Sequence, residues 1–316
     1  MNVLITGAGG FIGRNLIAAL EQDSDINILT FEKEDDRPVL DEHLSQADVI
    51  FHLAGVNRPP SEDEFWRGNA ELTDYLCDRL LAEERITPLL LSSSTQAELD
   101  NAYGRSKRQA EETVARYGVA SGALVHIYRL TNVFGKWSRP NYNSAVATFC
   151  YNIAHDKPIT ISDPHRVLDL IHIDDVVRHF VDDLIGEDQQ ETATSQYRTV
   201  SPVHQVTLGG LADLLYSFRQ MRESLQIPDL DDPFTHKLYS TYLSYLDRDM
   251  FAYDLMQRCD QRGCLAEFVK SAPFGQIFVS RTVPGITRGN HYHHVKTEKF
   301  LVVEGEAVVR FRHIQS

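Results

Sequence analysis

Tyr103 and Lys107, in Tyr-Gly-Arg-Ser-Lys, follow closely on the strand-like run Leu91-Ser92-Ser93-Ser94. Residues four apart share one face of a helix. A free phenol titrates at about pH 10 and exchanges protons poorly at neutral pH. A neighbouring ammonium favours phenolate and lowers that value. The pair is expected to pass a proton to a carbonyl oxygen as reduction occurs at the carbon. A hydroxyl from the serine strand end would hydrogen-bond the same oxygen. A Tyr and a Lys on one helix face are ordinarily plain surface; the serine strand just before them sets this pair apart.

A second cluster lies far along the chain, in the spacing Gly285, five residues, His291, one residue, His293, four residues, Glu298, six residues, Gly305. Alternate residues of a strand point to one face. His291 and His293 would therefore stand together, with Glu298 entering across a turn. A His-His-carboxylate set open to further ligands suits a divalent metal, zinc first. His294 reads as surface.

These groups need elements to hold them. The chain begins MNVLITGAGGFIG, with Gly7, Gly10 and Gly13 after the apolar run Val3-Leu4-Ile5. Leu16, Ile17, Ala19 and Leu20 then follow at helical spacing. Strand, glycine turn and helix form the unit that holds a dinucleotide pyrophosphate. Gly7, Gly10, Phe11, Ile12 and Gly13 are assigned to that cofactor, whose oxidised nicotinamide would add its positive charge to that of Lys107. Glu32 lies 19 residues after Gly13. An acid there accepts from ribose hydroxyls and favours NAD. Lys33 follows directly and suits the extra phosphate of NADP. The two signals conflict, and Glu32 through Asp36 also reads as a solvated charged loop.

The runs INILTF, ADVIFHLAG, PLLLSSS and ALVHIYRLTNVFG alternate with the helical patterns AELTDYLCDRLLAEE and GRSKRQAEETVARY. Such alternation predicts an α/β fold, a Rossmann-type doubly wound parallel sheet covered on both faces. Ligands bind at the carboxyl ends of its strands. The glycine loop, Leu53-Ala54-Gly55, Ser92–Ser94 and the Asn132 loop all fall at such ends. Beyond Asn132, the residues Lys136, Arg139, Asn141 and Asn143 are candidates to hold a diphosphate or a sugar; an ordinary polar loop is the other reading. His126 and Tyr128 alternate within a strand and read as packing residues. The stretch 205–246 is amphipathic and helical, then rich in Tyr and Leu, and is expected to close the substrate side. From about residue 250, alternating runs such as GQIFVSRTV and KFLVVEGEAVVRFRH predict antiparallel strands. Two domains are expected, 1–246 and 250–316.

The 316-residue chain carries a formal net charge of −14, which argues against a nucleic-acid or anionic-membrane surface. Its four cysteines are scattered, with no C-x-x-C pair, and are expected to be reduced thiols. There is no run of about 18 apolar residues and no basic leader. A soluble cytoplasmic protein is expected.

Residues 1 to about 180 resemble an extended short-chain dehydrogenase/reductase acting on a nucleotide sugar. The likeness rests on GAGGFIG, HLAG at His52–Gly55, SSS at 92–94, Tyr103 with Lys107, RLTNVFG at 129–135 and LIHIDDVV at 170–177. It implies Ser94 as the hydroxyl partner, with Ser93 second, and places Asn132 near the sugar diphosphate. Dehydratases of this family carry an acidic pair where this chain has Thr95-Gln96, so elimination of water is not expected. Leu168 stands where the family commonly has Arg. The Gly285–Gly305 spacing is similar to the first motif of the cupin barrels. It implies a partial all-β cupin barrel, since the second cupin motif is absent and the chain stops at Ser316.

The whole order resembles the bifunctional capsular polysaccharide enzymes of the UDP-N-acetyl-L-fucosamine pathway, with PNYNSAVATFCYNIA, LYSTYLSYL, RGNHYHHVKTEKFLVV and RFRH all fitting. The resemblance implies epimerisation at carbon 3 of a UDP-2-acetamido-2,6-dideoxy-4-keto-hexose by the cupin domain. NADPH-dependent reduction at carbon 4 by the first domain would follow. The product would be UDP-2-acetamido-2,6-dideoxy-L-talose, for capsule or O-antigen. NADP is placed first on the resemblance and Lys33, with NAD the alternative from Glu32. A homodimer is expected. Two other readings stand beside this one. An NAD-dependent nucleotide-sugar 4-epimerase would use Tyr103, Lys107 and Ser94 equally well. An NAD(P)-sensing protein with a cupin oligomerisation element would have no use for a proton donor.

Overall fold

The computed structural model describes residues 1–59, 61–185 and 196–313. One compact unit comprises Met1–Asp254 with Val269–Gln276; the other comprises Leu255–Phe268 and the described residues from Ile277 onward. Residues 314–316 of the expected second domain lie outside the described residues.

In the first unit, β1 (Asn2–Thr6), α1 (Phe11–Leu20), β2 (Asn27–Phe31), α2 (Arg37–Gln46) and β3 (Val49–His52) open the fold. Next come α3 (Asp63–Phe65), a π-helical turn (Trp66–Glu71), α4 (Leu72–Ala82) and β4 (Leu89–Ser94). A 3-10 turn (Thr95–Glu98) leads into α5 (Ala102–Ser121) and β5 (Val125–Leu130). The chain continues with β6 (Asn132–Phe134), α6 (Ala145–Ala154), β7 (Val167–His172), α7 (Ile173–Ile185) and β8 (Gln196–Arg198). It then forms β9 (His204–Thr207), α8 (Leu208–Ser224) and α9 (Pro233–Leu243).

Six strands make a parallel sheet in the order β2-β1-β3-β4-β5-β8, a Rossmann-type arrangement. Successive residues of one strand enter opposite cores. Val3, Ile5, Leu90 and Tyr128 pack with Leu16 of α1 and Phe180 of α7. Leu4, Leu89, Leu91 and Ile127 pack with Leu44 of α2, Leu76 of α4 and Val114 of α5. Because both faces are covered, the strands read as unbroken apolar runs. The chain leaves β1 for β2 on one side and crosses to β3 on the other. That reversal opens a crevice above the carboxyl ends of β1 and β3.

The run ALVHIYRLTNVFG, which reads as one strand, divides at Thr131. Its first part is β5 of the large sheet; its second is β6 of a smaller sheet, β6-β7-β9. His126 and Tyr128 are buried in β5, as expected of packing residues. The helices α6, α8 and α9 enclose a third core of Phe134, Phe149, Leu211, Leu215, Phe218 and Tyr242. Tyr245 donates to the Ser138 carbonyl at 2.6 Å, tying the end of this layer to the loop after β6.

In the remainder of the chain, β10 (Gln257–Asp260), β11 (Gly263–Ser271) and β12 (Gly275–Thr282) form a small sheet in that order, with β10 and β11 antiparallel. Two expectations are corrected here. The run KFLVVEGEAVVRFRH is not a strand, and His291 and His293 do not alternate within one. Strand-like alternation becomes a strand only where a neighbour takes its N–H and C=O groups; residues 283–313 have no ladder partner among the described residues. Cys259 and Cys264 are joined as a disulfide rather than free. A tight hairpin makes them direct cross-strand partners, a pairing that a search for C-x-x-C does not find. Cys77 and Cys150 are buried free thiols, as expected. No described helix is long and apolar enough to cross a membrane.

Candidate active site

The start of α5 is built to dock. The Asn101 side chain accepts from the Gly104 N–H at 2.8 Å and caps the helix. A Cβ on Gly104 would stand 2.3 Å from the Gln96 carbonyl oxygen and 2.5 Å from that of Leu99, so only glycine lets the helix start this close to the 3-10 turn. Arg108 reaches back to the same turn, donating to the Ala97 carbonyl at 2.9 Å.

Tyr103, Lys107 and Glu111 then lie one turn apart on α5, and each meets one serine of β4. The phenol of Tyr103 lies beside Ser94, whose hydroxyl favours its ionised form. The Lys107 Nζ donates to the Ser92 carbonyl at 2.9 Å. The Ser93 hydroxyl donates to Glu111 at 2.5 Å. Ser93 is thus committed to a buried carboxylate, and Ser94 is the hydroxyl brought to Tyr103.

Burial pushes the Tyr103 phenol above its ordinary value, with the Ser94 hydroxyl acting the other way. This corrects the expectation that Lys107 lowers it: desolvation of the phenolate outweighs other effects, and the ammonium is turned into the Ser92 carbonyl. A phenol raised in this way is protonated at neutral pH, the form that donates to a carbonyl oxygen. Burial lowers Lys107 to about 8, opposed by Glu111.

At the carboxyl end of β1, Gly7 has φ +71°. A Cβ there would lie 2.8 Å from the Ala54 Cα. The Gly10 N–H donates to the Gly7 carbonyl at 3.1 Å, and α1 begins directly after Gly10. Phe11 and Ile12 pack on the core beneath. The loop therefore presents backbone at a helix N-terminus with no side chain in the way, a cradle that fits a pyrophosphate. Leu53 and Ala54 donate to the Thr6 carbonyl and hydroxyl, both at 3.2 Å. Gly55 lies beside Lys107, since a Cβ on it would come within 3.2 Å of Nζ. Glu32 is not a free solvated charge: its carboxylate accepts from the Gly9 N–H on the glycine loop. Lys33 next to it is exposed.

One part of the site escapes sequence reasoning. Thr73 donates to the Asn69 carbonyl (2.6 Å) and so takes the Nε2–H of His52 (2.9 Å). Thr6 lies 2.7 Å from the His52 Nδ1. This pattern suits one neutral tautomer, and burial together with Lys107 lowers His52 to about 3. From the π-helical turn, Asn69 accepts from the Val56 N–H at 2.8 Å and donates to Ser106 at 3.0 Å. Ser106 in turn donates to the Tyr103 carbonyl at 2.8 Å. Phe65 packs on Tyr103 with ring centroids 5.6 Å apart. A π turn leaves no mark in hydrophobic spacing, and Asn69 has no motif of its own there.

The loop candidates have separate surroundings. Asn132 donates to the Asp169 carbonyl at 3.2 Å. Lys136 stacks on Trp137, 4.9 Å from its ring centre, and lines a cavity of about 380 Å³ with Asn15, Asp174 and Arg178. Arg139 lies over Tyr142 at 5.4 Å. The Asn141 N–H donates to Thr148 at 3.0 Å, and Asn143 is exposed.

In the second unit, one ligand atom each from His291, His293 and Glu298 lies within 4.8 Å of the others. The His293 Nε2 is 3.5 Å from Glu298. The Lys296 ammonium rests on the same carboxylate at 2.6 Å and is the main cause holding it below the usual carboxylate range. The donor types and their closeness fit a small divalent cation, with Lys296 standing where positive charge is favoured.

The docking of α5 makes a prediction independent of chemistry. Gly104→Ala is expected to destabilise the first unit by about 1–3 kcal/mol, as forced overpacking does. Urea unfolding checks this, and an unchanged midpoint would show that the approach to Gln96 and Leu99 is not tight.

Residues 3–184 match the model of the NAD dependent epimerase/dehydratase family. Residues 258–316 match a polysaccharide biosynthesis C-terminal domain. The chain is 49% identical over 314 residues to a UDP-2-acetamido-2,6-beta-L-arabino-hexul-4-ose reductase from Pseudomonas aeruginosa, covering 99% of this chain and 83% of that protein. It is 44% identical to the capsular polysaccharide assembling protein CapF from Staphylococcus aureus, with a TM-score of 0.84 over 93% of this chain and 79% of that one. A UDP-glucuronic acid 4-epimerase from Bacillus cereus, solved with UDP-glucuronic acid and NAD, is 20% identical. Its TM-score of 0.61 over 69% of this chain and 83% of the other shows a shared fold. With the glycine cradle, the Tyr103–Lys107 pair and relatives matched over nearly its whole length, the chain belongs to the NAD dependent epimerase/dehydratase family and is an enzyme of capsular polysaccharide biosynthesis.

Proposed function

We propose that the first unit reduces carbon 4 of a UDP-2-acetamido-2,6-dideoxy-4-keto-hexose and that the second epimerises carbon 3, giving UDP-2-acetamido-2,6-dideoxy-L-talose. The observation that carries the reduction is the placement of Tyr103 beside Ser94 and one helical turn from Lys107, on a helix whose Lys107 is anchored to the Ser92 carbonyl of β4. The match to the Pseudomonas reductase supports the substrate class.

When bound, NADPH supplies the hydride. Tyr103 donates its proton to the ketone oxygen, and Ser94 hydrogen-bonds that oxygen as its charge grows. Lys107 holds the nicotinamide ribose beside Gly55. Gly7, Gly10, Phe11, Ile12 and Gly13 take the pyrophosphate, and Leu53, Ala54 and Gly55 line the crevice opposite. Lys33 meets the extra phosphate of NADP. Asn132, Lys136, Arg139, Asn141 and Asn143 serve the sugar diphosphate.

His291, His293 and Glu298 would hold a divalent metal, zinc first. Such a metal would stabilise negative charge next to the ketone when the carbon 3 proton leaves. A second reading, an NAD-dependent 4-epimerase, draws support from Glu32, an acid at the end of β2 where a carboxylate meets ribose hydroxyls. Net consumption of NADPH separates the two.

Tyr103→Phe is expected to lower kcat for reduction by about 10²–10⁴-fold, the usual worth of a positioned acid, with NADPH affinity unchanged. Stopped-flow turnover and fluorescence titration check this, and retained turnover rules Tyr103 out as the acid. His291→Ala is expected to lower metal content after dialysis and to slow proton exchange at carbon 3 without touching NADPH binding. Unchanged metal content would remove His291 from the ligand set.

A further inference from the structure

Glu111 and Arg129 take no part in the proton transfer described above, yet they form the most enclosed charged contact next to it. Glu111 has no exposed surface. It accepts from the Arg129 Nε at 3.0 Å and Nη2 at 2.7 Å, from Ser93 at 2.5 Å, and from the Tyr197 hydroxyl at 3.4 Å. Glu98 from the 3-10 turn meets the Arg129 Nη1 at 2.8 Å, and the Tyr197 ring lies 4.6 Å from the guanidinium. Enclosing such a pair gains little stability over an apolar replacement, and its best-attested use is to fix one arrangement. Its location suggests which one. Arg129 is the register partner of Ser93 across β4 and β5, so the carboxylate sits where α5, β4 and β5 meet.

We infer that Glu111, clamped by Arg129, is a positioning residue for the reduction proposed above. It locks α5 onto β4 through Ser93 and Arg129, and it sets its carboxylate one helical turn from Lys107 on the same face of α5. The inference rests on the reductase reading for its kinetic consequence, but not for its geometry.

The other groups facing Lys107 cannot replace that charge. His52 from β3 is neutral, Asn69 from the π turn is uncharged, Tyr103 is a protonated phenol, and Ser92 offers a carbonyl. Burial alone drives Lys107 towards the free amine, and Glu111 opposes it. The sign follows. Removing the negative charge makes Lys107 lose its proton at lower pH. Removing Arg129 leaves the carboxylate uncompensated, and Lys107 holds its proton to higher pH.

The test uses the full chain labelled with ¹³C-lysine, following the Lys107 Cε resonance between about pH 6 and 10, the range around the ordinary and lowered lysine values. In parallel, kcat/KM for the UDP-4-keto sugar and NADPH is measured over the same range. Glu111→Gln is expected to move the Lys107 midpoint and the alkaline limb of the rate profile down by about one pH unit, the scale of a nearby charge effect. Arg129→Gln is expected to move both upward, and it serves as the second variant should Glu111→Gln not fold. Midpoints that stay at the wild-type position in a folded variant overturn the inference. A wild-type enzyme that oxidises no NADPH overturns the reductase reading instead, and the resonance still decides whether Glu111 sets the charge of Lys107.

Discussion

A phenol and a hydroxyl act on one carbonyl oxygen only if the helix and the strand that carry them keep a fixed register. Here that register is α5 against the end of β4. Gly104 lets the helix start against the 3-10 turn, and the Asn101 cap fixes where it begins. Lys107 and Glu111 then grip Ser92 and Ser93, which leaves Ser94 for Tyr103. A shift of one residue along β4 would turn its side chains to the opposite face and separate Tyr103 from its partner.

Burial, more than pairwise charge, sets the proton inventory of this site. Tyr103 is raised and His52 is neutral for that reason, and Lys107 falls to about 8. The site therefore holds its proton on the phenol, the state that a ketone reduction begins from. The polar chain from Thr6 through His52, Thr73, Asn69 and Ser106 back to Tyr103 joins the cofactor crevice to the acid without adding charge. At the same crevice, Glu32 after β2 accepts from the Gly9 N–H of the glycine loop, where the choice between NAD and NADP would be made.

Much of the fold was legible because its signals are local. The glycine spacing, the strand before it and the helix after it lie within twenty residues. The unbroken apolar strands follow from two cores that take alternate residues. Tyr103 and Lys107 were legible because one helical turn separates them. Other features depend on contacts that sequence spacing does not encode. The choice of Ser94 over Ser93 follows from Glu111, eighteen residues further on. Asn69 is aimed by a π turn, and Cys259 meets Cys264 only because a hairpin folds between them. The rise of Tyr103 depends on enclosure by Phe65 and its neighbours, which a Tyr–Lys spacing does not reveal. In residues 299–313, the alternating pattern predicts a strand that does not form, because no neighbouring strand is present among the described residues to take its backbone groups.

The most direct test supplies the UDP-4-keto sugar and NADPH to the enzyme in deuterated water, following NADPH absorbance and the product by NMR. The account predicts stoichiometric oxidation of NADPH and a product reduced at carbon 4 with deuterium at carbon 3. Oxidation without deuterium would remove the epimerisation while leaving the reductase. No oxidation at all would contradict the central claim, that the register of α5 on β4 assembles a ketone reductase.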